Sequence, residues 1–253
     1  MNTRIATFIK RNRQYIPVMA TALLAVLAYT AGAIFFPGMR NPQVFFNIFR
    51  NNSYLLISAV GMTLVILTGG IDLSVSGMIA LTSVATAALL RGGMDAGWVF
   101  LLMLLMGMAL GSIMGGFIAY LKVQPFIATL AGMWITRGLC FFISDDAISI
   151  SNPTVELISR IRIYMPGLTE LFESSGKAPP YISISVVVAF IIFFAGIFIS
   201  RYTRFGRTIY AIGGNEGHNE QSAMLMGLPV TTTKVLVYTL NGFCSALAGI
   251  FFA

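Results

Sequence analysis

Seven stretches of the chain stay apolar for close to the ~20 residues a helix needs to cross a bilayer. They cover residues 15–36, 52–70, 73–90, 98–121, 126–144, 181–200 and 235–253. Charged residues make up only 10% of the 253 residues, against about 25% in a soluble domain. A chain so poor in charge cannot coat a globule for water, so it reads as an all-α, polytopic transmembrane helical bundle of about seven spans. We treat 1–253 as a single membrane domain. The first stretch follows Arg4, Lys10, Arg11 and Arg13 as a signal peptide would, but it exceeds the 7–15 apolar residues of a signal and reads as a retained anchor. The last stretch reaches Ala253 without a polar flank, and the expectation is a chain that is incomplete at its C-terminus.

The formal net charge of +7 comes from sixteen basic residues. They are scattered at the ends of apolar stretches and form no basic run, so topology explains them and no nucleic acid partner is expected. An N-terminus in the cytoplasm puts Arg4, Lys10, Arg11, Arg13, Lys122, Arg201, Arg204, Arg207 and Lys234 inside. It leaves Arg40, Arg50, Arg91, Arg160, Arg162 and Lys177 outside, a bias that favours this orientation. Segment 145–180 then lies outside and segment 201–234 inside.

Within the fourth span, Gly107, Gly111 and Gly115 recur every four residues and present one smooth helical face. That face serves either packing within the chain or a subunit interface. Between the second and third spans, Gly69-Gly70-Ile71-Asp72-Leu73-Ser74 is poor material for a continuous lipid-facing helix, so a broken segment is expected there. Asp72 either caps the following helix, meeting free N–H groups, or lines the substrate path. Arg137 sits inside an apolar stretch, where an unpaired guanidinium costs ~2.5 kcal/mol or more. It therefore faces protein or water, or snorkels outward near Asp145 and Asp146. Asn241 in the last span is a further polar candidate for the path. Asn51, Ser53, Trp134 and Phe243 are of types found in sugar sites, and equally of types that pack.

The inner segment runs Arg204-Phe205-Gly206-Arg207 through Ala211-Ile212-Gly213-Gly214-Asn215-Glu216 to Ala223-Met224-Leu225-Met226-Gly227. A glycine turn, an Asn N-cap, a short apolar helix and a closing glycine spell a compact helix outside the membrane. Its apolar face needs cover, either from the membrane surface or from a partner protein.

Four motifs occur in order: Gly69-Gly70-Ile71-Asp72-Leu73-Ser74, Thr129-Leu130-Ala131-Gly132-Met133, Arg204-Phe205-Gly206 and Ala211-Ile212-Gly213-Gly214-Asn215-Glu216. Together they resemble the ribose/xylose/galactose-type permeases of ABC sugar importers, with the permeases of galactofuranose importers as the nearest likeness, over essentially the whole chain. The resemblance implies a permease of the bacterial inner membrane that translocates a monosaccharide into the cytoplasm. It further implies a second permease, identical or homologous, a periplasmic sugar-binding protein and cytoplasmic ATPase subunits as partners, all in a lipid bilayer. The ATPase-coupling loop of that family is similar to Gly213, Gly214, Asn215, Glu216, Ala223, Met224, Leu225 and Gly227 here. One departure is a four-residue insertion near Gly217-His218-Asn219-Glu220, which puts the register of the ATPase contacts in doubt.

The chain itself carries no expected catalytic residue, metal site or cofactor. The only Gly-Lys pair, Gly176-Lys177, is followed by Ala178 and has Leu171 where a phosphate-binding loop needs its first glycine. ATP hydrolysis is therefore expected in a separate subunit. Cys140 and Cys244 fall in apolar runs and read as small buried hydrophobes, and His218, the single histidine, has no second ligand nearby. The rival class is an ion-coupled secondary transporter, which would want several intramembrane acids or broken helices in both halves; among the carboxylates only Asp72 qualifies.

Overall fold

In the computed structural model, which describes residues 15–146, 148–150, 152–164, 179–214 and 219–253, each of the seven apolar stretches contains a helix. In chain order the elements are α1 (Ile16–Phe35), α2 (Pro42–Asn51), α3 (Ser53–Leu67), α4 (Val75–Arg91), α5 (Ala96–Ala119), α6 (Pro125–Ile143) and α7 (Pro153–Arg160). Next come strands β1 (Arg162–Tyr164) and β2 (Tyr181–Ser183), and helices α8 (Ile184–Tyr202), α9 (Arg204–Gly213), α10 (Asn219–Leu225) and α11 (Val230–Phe252). Among the described residues α1, α5, α6, α8 and α11 are long and apolar enough to cross a membrane, and α3 and α4 are shorter apolar helices. At ~1.5 Å per residue, α3 and α4 reach only ~22 Å and ~26 Å of the ~30 Å hydrocarbon core.

The chain forms two compact units, Met1–Ile48 with Pro166–Pro180, and Phe49–Met165 with Tyr181–Ala253. In the first, α1 buries no residue. Its end is tied down by Arg40, whose guanidinium donates to the otherwise unpaired carbonyls of Ala33 (2.8 Å) and Ile34 (3.3 Å).

The second unit is built around α11, which packs on α5, α4 and α3. The α5–α11 seam explains the glycine repeat. A Cβ on Gly107 would lie 2.6 Å from the Gly242 carbonyl oxygen, and one on Gly111 would lie 3.2 Å from Gly242 Cα. Glycine on both helices lets the backbones touch, so the repeat serves packing within this chain. Ser112 and Thr239 hydroxyls add a 2.8 Å hydrogen bond across the seam. On the α3 side, Leu64, Val65, Ile118, Ile209, Val237 and Tyr238 form one buried cluster. The opposite faces of α5, α6 and α8 leave Leu105, Phe117, Trp134, Phe194 and Phe198 exposed, as helices sitting in lipid do.

One boundary differs from hydropathy alone. Helix α11 starts at Val230 rather than 235, because Pro229 opens it and Thr233 is buried although polar. Among the described residues after α6, α7 is capped by Asn152, and β1 and β2 pair antiparallel with Ile163 opposite Ile182. Cys244 is buried and Cys140 half-buried, both as free thiols.

Candidate functional site

The break between α3 and α4 begins where α3 is stopped. Gly69 adopts φ +75°, while Gly69 N–H donates to the Ile66 carbonyl and Gly70 N–H to the Val65 carbonyl. This paired closure uses a left-handed residue that glycine adopts without penalty. The chain is then non-helical through residues 70–73, and Ser74 stands just before α4, which starts at Val75.

Asp72 lies in this non-helical run and is only 4% exposed. Its Oδ1 accepts from Ser74 N–H at 2.9 Å and from the Ser74 hydroxyl at 2.6 Å. Its Oδ2 accepts from Asn241 Nδ2 at 2.7 Å. A buried carboxylate without partners is expensive, and three donors are what makes this one tolerable. Asn241 is fully buried on α11. One turn earlier on the same face, the Tyr238 hydroxyl donates to the Ile71 carbonyl at 3.3 Å. Space is close to used up around the pair: a Cβ on Gly61 would lie 2.6 Å from Asn241 Oδ1, and one on Gly70 would lie 2.7 Å from the Tyr238 hydroxyl. Asn241 Oδ1 has no hydrogen-bond partner among the described residues.

Asp72 and Asn241 are thus brought together, and Tyr238 and Ser74 join them. The sequence alone singled out neither of these two; Tyr238 stands three residues before Asn241, a helical spacing that shares a face. Arg137 is not part of the cluster. It is exposed on α6 and makes no ion pair with Asp145, Asp146 or any other described residue. Among the other candidates, Ser53 is buried and bonds the Arg50 carbonyl at 2.9 Å, while Trp134 is exposed.

The second constellation lies outside the spans. Helix α9 is capped by Thr203, which accepts from Gly206 N–H at 3.0 Å. It ends at Gly213, which is helical rather than a turn. A Cβ there would come within 2.7 Å of the Leu67 carbonyl carbon, so Gly213 allows the end of α9 to press on the end of α3, next to the break. Asn215, Glu216, Gly217 and His218 lie outside the described residues; Gly214 closes α9. Helix α10 ends as α3 does: Gly227 has φ +77°, with Gly227 N–H on Met224 O and Leu228 N–H on Ala223 O.

The apolar face of α10 is split. Ala223 is fully buried against Ile212 and Val230, so it faces inward and is not part of an outer face. Leu225 is 89% exposed, with Met224 and Met226 exposed beside it. Glu220 binds both Lys122 after α5 (3.4 Å) and Lys234 on α11. Burial alone would raise its carboxyl pKa, but the hydrogen bond and charge of Lys234, with the charge of Lys122, outweigh this and hold it below the ordinary value.

A bundle of apolar spans, a helix break locked at a buried carboxylate and a short tethered helix outside the spans define a multi-pass membrane permease. The family of branched-chain amino acid transport system permease components matches residues 44–253, and the chain belongs to it. It is 40% identical, over 97% of its length and 69% of the relative, to the inner membrane ABC transporter permease protein YjfF of Escherichia coli K12. It is 37% identical to a fructose import permease of Bifidobacterium longum, over 95% of this chain and 68% of that one. A ribose import permease of Haemophilus influenzae is 35% identical over 98% of this chain and 70% of its own. No solved structure matches the chain. The chain is a transport component rather than an enzyme, and a permease of this class works with ATPase and binding-protein partners.

Proposed function

We propose that the chain translocates a monosaccharide, a pentose or hexose, into the cytoplasm across the bacterial inner membrane. It does so beside a second permease, fed by a periplasmic sugar-binding protein and driven by cytoplasmic ATPase subunits. The observation that carries this is the identity to fructose and ribose import permeases over nearly the whole chain.

In this reading the N-terminus is cytoplasmic, as the basic residues favour. Lys122 and Lys234 meeting one carboxylate supports placing the turn after α5 and the start of α11 on a common side. Leu225, Met224 and Met226 present the surface that docks on the ATPase. Gly213 against Leu67 gives that segment a rigid route to the α3–α4 break. The Asp72–Asn241 pair then acts as the latch that holds the break against α11, rather than as an open sugar contact. Arg137, exposed on α6, meets the hydrated path or the second permease.

Uptake of labelled ribose, fructose and galactofuranose by cells expressing the full transporter tests the proposal. We expect one sugar to be taken up with a requirement for ATP. Uptake that persists without the ATPase under a proton gradient would instead establish the ion-coupled reading. For orientation, a cysteine at Ser159 on α7 should label in intact cells, and labelling only after permeabilisation would reverse it.

A further inference from the structure

The place where α8 leaves the membrane and α11 enters it carries a feature that the transport reading does not use. Its depth is marked by aromatic residues: Tyr202, 70% exposed, stacks with Phe198 at 5.7 Å, and Tyr210 is exposed on α9. Tyrosines at the end of a span sit at the headgroup level. At this level a groove of about 600 Å³ opens between the first turn of α9 and the start of α11. Arg204, Arg207 and Thr232 line it, with Phe205, Pro229 and Leu236 as its apolar wall.

Among the described residues no carboxylate lines the groove. Arg204 and Arg207 are exposed and have no ion pair among the described residues. The two lysines of the neighbouring triad, by contrast, both have an ion-pair partner in Glu220. Leu236 lies nearly two turns into α11 and is 45% exposed, so the apolar wall runs from the charged mouth toward the hydrocarbon region. A ligand that fits is anionic at the headgroup level and apolar below it. Two guanidinium forks suit a phosphate, which they grip through paired N–H donors.

We propose that this groove binds an anionic phospholipid, its phosphodiester held by Arg204 and Arg207 and an acyl chain laid along Phe205 and Leu236. A membrane lipid fits better than an acidic protein surface, because the apolar wall continues along a spanning helix that lipid already surrounds. Basic pockets at helix ends on the membrane face are known to take such headgroups. The site rests on the positions of α8, α9 and α11 alone, so it stands or falls separately from the identity of the sugar.

The test is native mass spectrometry of the full chain released from nanodiscs of mixed phosphatidylcholine and phosphatidylglycerol. Wild type should retain phosphatidylglycerol in preference to phosphatidylcholine. The double variant Arg204→Gln with Arg207→Gln should lose that retention on the order of tenfold or more, while Arg91→Gln, at the far end of α4, should not. Both groove arginines are exposed, and an unchanged size-exclusion profile will confirm that the variant folds. Retention unaffected by the double variant, or lowered equally by Arg91→Gln, overturns the site. Displacement of the lipid by millimolar inorganic phosphate would make it a free-anion site instead. Unchanged lipid retention with loss of ATPase co-purification would assign the arginines to an acidic protein surface.

Discussion

Asn241 donates its side-chain N–H to Asp72 across 2.7 Å, joining two residues 169 positions apart in a buried site. This is a contact between a helix break and the middle of the most buried span. Removing one side exposes its worth, since an unsatisfied buried acceptor costs ~1–3 kcal/mol and more when charged.

Asn241→Ala should therefore lower the thermal midpoint of the detergent-solubilised protein, by an amount equivalent to ~1–3 kcal/mol. Asn241→Asp should be worse, because it sets two carboxylates against each other. The exchanged pair Asp72→Asn with Asn241→Asp restores one acid and one amide. It should recover part of the stability and of sugar uptake. An exchange no better than the sum of its single changes would show that the two side chains do not act as a pair.

The spans were legible in the sequence because membrane burial demands unbroken apolar length, and the α3–α4 break because two glycines stand beside an acid where lipid tolerates no open backbone. Gly227 was legible as a helix stop for the same local reason. The partner of Asp72 was not. Asn241 stood out as polar, yet nothing in a linear chain says which of seven helices it faces. Ala223 was misplaced because a seven-residue helix has too few positions to show which of its faces is covered. The role of Glu220 was not legible either, since nothing in a linear chain pairs it with Lys122, 98 positions away, or picks out Lys234 as its second partner.

The α5–α11 seam predicts a contrast between two neighbouring glycines. A methyl group on Gly111 would press on Gly242 Cα at 3.2 Å, while one on Gly116 would meet nothing within 4 Å. Gly111→Ala should destabilise by ~1–3 kcal/mol through overpacking. Gly116→Ala should be neutral or stabilising, because alanine is the better helix former. Thermal unfolding of both variants decides it, and equal behaviour would mean that the seam is looser than its geometry.

Glu220 predicts an acid-sensitive tether. A carboxyl whose folded pKa lies below its unfolded value contributes stability above the unfolded value, and loses it as pH falls through the folded one. The attachment of α10 should then be intact at neutral pH and released below the ordinary carboxylate value of ~4.3. A dye on Leu225→Cys should tumble more freely at that point, and also at high salt. In Glu220→Gln it should be free at all pH values. A pH response that survives Glu220→Gln would move the tether elsewhere.

Arg137→Ala should lower sugar uptake per inserted molecule more than it lowers insertion. Removing a charge eases partitioning into the membrane by ~2.5 kcal/mol or more if the charge was lipid-facing, so a loss of uptake cannot come from poorer insertion. Unchanged uptake would leave Arg137 as an interface residue that snorkels.

The outer face of α10 carries the last prediction. Leu225 is almost fully exposed, and Met224 and Met226 flank it, an apolar patch held firm by Gly227 behind it and Glu220 ahead. Leu225→Asp would place an unpaired charge in any protein contact made there, where a buried, uncompensated charge can cost several kcal/mol. Because the side chain touches little within the chain itself, folding and insertion should be unchanged. Co-purification of the ATPase and transport-linked ATP hydrolysis should both fall, with docking of the binding protein on the opposite side retained. Gly227→Ala should act more weakly on the same readouts, since a side chain in the left-handed conformation costs ~1 kcal/mol, and Gly227→Asn should be milder still. Wild-type ATPase association for Leu225→Asp would place α10 on the membrane surface, and the ATPase would then have to be sought on another loop.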